Sequence, residues 1–281
     1  MAHAIWTGAI NFGLVTIPVK LFTAIRTNDL SFNLLHKKDE GRIKYERTCA
    51  ECGKTVPWDE IVKGYEIEKG QYVILTDDDF KRVNVEATQS VDIVEFVDLD
   101  QISPMFFDKP YYLEPDKKGR HAYALLREAL ESANKVAIAR VVIRTKEHIA
   151  AVKPIGDALV LEIMHWADEI VDADTLDFPR EEKMPPAEMK MAKMLIDTMA
   201  VDKFEPENFK NKYHEEVMAM IEARAAGKEL PKAKKSAPRA TVVNLMDVLQ
   251  QSLEETKKHR TAASASPTKK TAATRKKKRA A

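Results

Sequence analysis

Glycine is scarce, 9 residues in 281, which leaves little room for a loop that cradles phosphate. No P-loop or GxGxxG occurs, and GxSxG and HExxH are missing too. Cysteine is scarcer: Cys49 and Cys52 are the only two, which excludes a disulfide framework. No run of about 18 uncharged apolar residues exists, so no helix is expected to span a membrane. The opening MAHAIWTGAINFGLVTIPVK is apolar but lacks a positively charged start and a small-residue cleavage site, so no signal peptide is expected. Together with the cysteine usage this points to a reducing, cytoplasmic location.

What is present is charge, unevenly spread. The formal net charge is only +1. From Lys228 onward, however, there are 15 Lys or Arg against 4 Asp or Glu, which leaves 30 basic and 40 acidic residues before it. The body therefore carries about −10 and the last segment about +11. Screening over about 8 Å at physiological salt lets a partner meet the two separately. The chain ends in TKKTAATRKKKRAA, where Lys269, Lys270, Arg275, Lys276, Lys277, Lys278 and Arg279 have no acidic neighbour. A polyanion is their natural partner, a purely solvating tail the bland alternative.

Hydrophobic periodicity places strands in the first part. In VTIPVKLFTAI, Val15, Ile17, Val19, Leu21 and Thr23 fall on one face. GRIKYERT, QYVIL, SVDIVEFVD, VAIARVVIRT, HIAAVKPI and ALVLEIMHW read as further strands separated by short turns. So many strands with few helices between them favour an antiparallel barrel or sandwich, hence a mixed α+β, mainly β fold. HAYALLREALESANK predicts a helix that buries Ala122, Leu125, Leu126, Ala129, Leu130 and Ala133. PPAEMKMAKMLIDTMA predicts a second, with Met191, Met194, Leu195 and Met199 on one stripe. NKYHEEVMAMIEARAAG predicts a third, closed by Gly227. The domain reading is a core over 1–183, a helical arm over 184–227, a linker and short helix over 228–255, and a disordered basic tail over 256–281.

Chemistry-bearing residues are few. Thr76-Asp77-Asp78-Asp79 has the composition of a cation site, but a cap for a short helix through DDFKRV explains it better. Cys49 and Cys52 in TCAECGK have the spacing of half a zinc site and lack two further ligands. A metal-free turn is the simpler reading, a site shared between two chains the sharper one. No cofactor is implied. Lys37, Lys38, Arg42, Lys44 and Arg47 in HKKDEGRIKYER read as a hairpin with two basic arms around Glu40-Gly41. Arg140 and Arg144 are expected on one strand face about 14 Å apart, suited to separate phosphates. In TVVNLMDVLQQSLEE, Val242, Leu245, Met246, Leu249 and Leu253 form an apolar stripe between a linker and a low-complexity tail. That stripe suits a partner's groove, with folding back on the body as the alternative.

Several ordered blocks resemble the bacterial Ku proteins of DNA end joining: IWTGAINFGLVTIPVKLF, LTDDDF, FFDKPYYLEPDKKGRHAYALLREAL and LEIMHWADEI. The similarity runs from Ile5 to Gly227, and TVVNLMDVLQQSLEE resembles the family's ligase-recruiting segment. The resemblance implies a β-barrel with a bridge that closes around DNA and a helical arm that embraces a second copy. It further implies a non-catalytic homodimeric ring on double-stranded DNA ends that recruits an ATP-dependent ligase of the ligase D type, in the cytoplasm at the nucleoid. A nucleoid-type compacting protein acting through its tail is the competing reading. A nuclease using Asp77 to Asp79 or the cysteines ranks below both.

Overall fold

The computed structural model describes residues 3–83, 89–179, 182–228 and 248–254. The chain divides into two compact units, Met1–Leu176 and Asp177–Ala281. In the first, the described residues form nine strands: β1 Trp6–Phe12, β2 Val15–Thr23, β3 Lys63–Glu68, β4 Gln71–Leu75, β5 Ser90–Asp98, β6 Phe107–Pro115, β7 Lys135–Ile143, β8 Lys146–Ile155 and β9 Ala158–Met164. Two helices accompany them, α1 Asp77–Val83 and α2 Arg120–Ala133. Seven strands close a barrel in the order β1-β2-β6-β9-β8-β7-β5. All its neighbours are antiparallel except β1 and β5, which meet in parallel over Ala9 to Ser90, Ile10 to Val91 and Asn11 to Asp92. The expected antiparallel barrel thus carries one parallel seam.

The interior follows from period-two alternation. Ile17, Val19 and Leu21 of β2 point inward as the pattern required, joined by Ile10, Val91, Leu113, Val141, Val152, Leu159 and Leu161. The run VAIARVVI of β7 is apolar on both faces. Ala137, Ala139 and Val141 enter the barrel, while Val136 and Ile138 join Ala151, Met164 and Phe106 in a second cluster. Gly8 permits a close crossing at the seam. A Cβ there would lie 2.1 Å from the Gln89 carbonyl oxygen and 2.3 Å from the Trp6 ring.

Helix α2 forms where its period predicted, but with a rotated face. Tyr123, Leu126 and Leu130 are buried and Leu125 is exposed. The tyrosine sets the rotation, because its hydroxyl has a place inside: it donates to the Leu113 carbonyl at 2.7 Å and accepts from the Leu159 amide at 2.5 Å. Burial pushes its phenol pKa up. At α1, Thr76 and Asp79 cap reciprocally. The Asp79 carboxylate accepts from the Thr76 hydroxyl at 2.6 Å and from its amide at 2.9 Å, which lowers its pKa. The acidic run is a helix start, and Asp77 pairs with Lys63 at 3.3 Å.

Residues 24–89, between β2 and β5, form a long excursion. Among its described residues the one sheet is the hairpin of β3 and β4, which shares no strand with the barrel. None of its described residues is buried. Tyr45, Trp58, Tyr65, Ile67 and Ile74 are 60–81% exposed.

The second unit holds α3 Pro186–Met199 and α4 Lys212–Ala225, close to the expected helices, with Gly227 in the left-handed conformation just beyond. Neither helix buries a residue, so among the described residues the methionine stripe of α3 fills no core. Residues 248–254 are helical, with Leu253 buried and Leu249 half-buried. Val242, Leu245, Met246 and the whole tail from Lys269 to Arg279 lie outside the described residues. No helix among the described residues is long and apolar enough to cross a membrane.

Candidate nucleic-acid interface

The basic residues separate into those already paired and those left free. Inside the first unit, Lys153 pairs with Glu162 and lies over the Phe107 ring at 4.7 Å, and Lys135 holds Asp98 at 2.8 Å. Arg127 reaches Asp157 at 3.4 Å. These cations are occupied by the fold.

At one end of the barrel the balance changes. Lys109, Arg144, Lys146 and His148 line an open cleft of about 700 Å³ with Ile5, Thr23, Tyr111, Ile143 and Thr145. The barrel register brings them together. Thr23 at the end of β2 lies opposite Tyr111, and the two-residue turn from β7 to β8 places Arg144 and Thr145 beside them. The Trp6 indole ties β1 to this end by donating to the Val142 carbonyl at 3.0 Å. Lys109, Arg144 and Lys146 make no ion pair among the described residues. His148 stays on the neutral side, because burial and the adjacent Lys146 ammonium lower its pKa against the pull of Asp108 and Glu169.

Arg144 differs from its expected place. Strand β7 ends at Ile143, and Arg144 occupies the turn with φ 61, so it shares no strand face with Arg140. Arg140, on the strand, lies 3.7 Å from Glu147. Local periodicity could not show that the strand stops one residue short of the arginine. Lys109, Lys146 and His148 were not singled out from sequence. Lys109 sits in FDKPYYLEP, whose two prolines hide a strand, and the sequence gives no sign that barrel closure sets it beside Arg144.

The excursion begins and returns at this same end. Its first residue follows Thr23, and it rejoins the barrel at Ser90, opposite Ala9, with Val91 opposite Val141. Within it, HKKDEGRIKYER forms a turn instead of a ladder. His36 and Gly41 close it by an amide-to-carbonyl bond of 2.8 Å, Glu40 takes φ 57, and a single bridge joins Leu35 to Arg42. The strand expected over GRIKYERT is therefore absent. Lys37 and Lys38 sit on the turn itself, and with Arg42 and Lys44 they make no ion pair among the described residues. Arg47 stacks over the Trp58 ring at 4.4 Å. The basic turn, with Lys37, Lys38, Arg42 and Lys44, and the cleft, with Lys109, Arg144 and Lys146, are thus two separate sets of cations without an ion pair among the described residues.

A second turn follows. It carries Cys49 and Cys52, and hydrogen bonding from the backbone of Cys52 and Glu51 holds the Cys49 thiol below its usual range. Among the described residues, no three His, Cys, Asp or Glu gather as a metal site would require.

The profile of the Ku70/Ku80 beta-barrel domain matches residues 11–194. The chain belongs to the Ku family. It is 48% identical to the "Non-homologous end joining protein Ku" of Opitutus terrae over 90% of this chain and 92% of that protein. It is 43% identical to the protein of that name from Cupriavidus necator, over 90% and 78% respectively. With its counterpart from Bacillus subtilis it shares 39% identity, over 91% and 83%. The closed barrel is therefore a Ku barrel, and residues 24–89 are the excursion such a barrel carries here.

Proposed function

We propose that two copies of this chain form a ring that accepts double-stranded DNA ends without reading sequence and recruits a DNA ligase. Family membership makes it a non-catalytic DNA-binding protein of double-strand-break repair by non-homologous end joining; the ring, the contact residues and the ligase are the proposal. The observation that carries it is the excursion over residues 24–89. It leaves and rejoins the barrel at the end that bears the free cations, yet has no core of its own. A limb with exposed apolar side chains needs something to cover it, and a second copy supplies a matching limb. The bare faces of α3 and α4 support the same reading.

Lys109, Arg144 and Lys146 of the cleft, with Lys37, Lys38, Arg42 and Lys44 of the turn, are the proposed phosphate contacts. A ring that must take any broken end uses backbone contacts that carry no sequence information. The tail from Lys269 to Arg279 adds sequence-independent affinity. The stripe of Val242, Leu245, Met246, Leu249 and Leu253 is the proposed seat of an ATP-dependent ligase of the ligase D type, and the site of work is the cytoplasmic nucleoid. The burial of Leu253 favours a helix that docks by exchanging one apolar contact for another.

The test compares linear duplex with covalently closed circles of the same sequence, using a version that ends at Glu255. A threading ring prefers ends strongly. Equal affinity for both in this tail-less version would overturn the threading ring. Changing Leu245 and Leu249 to Asp should abolish ligase stimulation and spare end binding.

A further inference from the structure

Part of the barrel's outer wall is apolar where a solvated wall would be polar. Antiparallel strands ordinarily give one of their two faces to water. On β7 the residues that enter the barrel alternate with Val136 and Ile138, which face outward and join Ile149 of β8 and Met164 of β9. The chain covers some of this wall itself: two short 3-10 turns, Leu99–Gln101 and Pro104–Phe106, bring Ile102 and Phe106 against it. What remains is a groove of about 330 Å³, floored by Val97, Ile102, Phe106, Ile138, Ile149 and Met164. Trp166 also lines it and is 36% exposed.

The rim of the groove has one sign of charge. The cations of this wall already have partners, Lys135 with Asp98 at 2.8 Å and Arg140 with Glu147 at 3.7 Å. His165 at the edge faces Glu169 at 3.3 Å. Glu95 lines the groove, and Asp100 and Asp168 stand next in sequence to its lining residues Gln101 and Ala167. All three acids are exposed, and none makes an ion pair among the described residues. Such a rim repels phosphate, so DNA is not the occupant. Yet the groove adjoins the cationic cleft, since His148 and Ile149, consecutive on β8, line the cleft and the groove respectively.

We propose that this groove docks a segment of a second protein, which inserts an apolar anchor and carries Lys or Arg on either side of it to meet Glu95, Asp100 and Asp168. The strands here are paired on both sides in a closed barrel, so the segment is held by its side chains and adds no strand. An apolar floor inside a polar rim is the usual anatomy of such a contact. Trp166 is the residue type that contributes most when covered, with a large ring to bury and an N–H to give to a backbone carbonyl. The same face of a second copy fits poorly, because a twofold contact would set three unmatched acids against three. A segment held here sits beside the cleft and leaves Lys109, Arg144 and Lys146 free for phosphate.

The test uses the full chain. A displayed library of random peptides is selected against it and counter-selected against Ala167→Arg, which introduces a long cation at an exposed position of the groove. The expected enrichment is for bulky apolar residues flanked by Lys or Arg. The selected peptide, made synthetically, should shift the Trp166 indole and Met164 methyl signals in NMR spectra and bind Ala167→Arg at least about tenfold more weakly. Neutralising the rim with Glu95→Gln, Asp100→Asn and Asp168→Asn together should weaken the peptide by about tenfold and remove most of its salt dependence. These three changes touch only exposed side chains, so they decide the matter even if Ala167→Arg fails to fold. Acidic or uncharged consensus peptides, NMR shifts away from the groove, or equal binding to both variants would overturn the proposal. Loss of linear-duplex binding in the neutralised variant would do the same, by making the acids part of the DNA-binding face. Displacement of the selected peptide by a synthetic peptide of residues 228–254 would make the chain's own segment the occupant, and a fall in the mass of the Ala167→Arg protein would make it a second copy; either result overturns a foreign partner.

Discussion

Strands β8 and β4 are both short apolar runs, KEHIAAVKPI and QYVIL, and they end in opposite surroundings. Ala150, Ala151 and Val152 of β8 are fully buried, whereas Tyr72, Val73 and Ile74 of β4 are 44–62% exposed. Local composition does not account for the difference. Strand β8 has a neighbour on each side in a closed sheet with α2 in the shared core, and β4 has only β3. A two-stranded hairpin alone is marginal in water. The barrel stabilises itself, while the limb borrows its support from the barrel and, in the proposed ring, from a second copy.

The sharpest way to break this contrast is to truncate one residue in each region. Leu161→Ala, in the barrel interior, should cost about 2–5 kcal/mol by urea unfolding. Ile74→Ala should change the barrel's stability by less than about 0.5 kcal/mol, and its effect should be seen in the concentration dependence of dimer mass. Comparable losses at both sites would mean that the limb has a core after all. A step smaller, Tyr123→Phe deletes the hydroxyl that serves Leu113 and Leu159 and leaves a buried amide unserved. About 1–3 kcal/mol should disappear from the same unfolding curve.

The cleft and the paired strand cations give a contrast in salt dependence. Arg144→Ala and Lys146→Ala should each flatten the slope of log affinity against log salt by about 0.9, one phosphate contact apiece. Arg140→Ala, already beside Glu147, should flatten it less. Equal slopes for Arg140 and Arg144 variants would place DNA along β7 instead of at the end of the barrel. The smallest effect concerns His148. Its pKa is lowered in the folded state, so its neutral form is the one the fold favours, and protonation costs stability only as pH falls below the unfolded value of about 6.5. An NMR titration should give a midpoint below that value, and His148→Gln should leave the salt slope at pH 7.5 unchanged. A midpoint above it would make His148 a further phosphate contact of the cleft.

Legibility followed how local each feature is. The faces of β2 and the extent of α2 were readable because period two and period 3.6 are properties of adjacent residues. The buried face of α2 was not, since Tyr123 enters the core only because Leu113 and Leu159, distant in sequence, satisfy its hydroxyl. Strands β1, β3 and β6 escaped notice, β6 with its two prolines and β3 with Gly64 and three charged residues among its six. The cleft was least legible. Arg144 was named for the wrong reason, and Lys109 reaches it only through the register of a closed sheet. The basic turn was visible as composition, though its single bridge replaced the two expected arms.

The parallel seam has one more implication. Because β1 pairs with β5 and β2 with β6, everything before the excursion is stitched to everything after it on both flanks, and Ile10, Ile17, Val19 and Leu21 are locked in the common interior. A peptide bond cut anywhere within residues 24–89 would therefore leave two fragments that stay together without a covalent link. The limb is free to be opened, lengthened or replaced without dismantling the body that carries it.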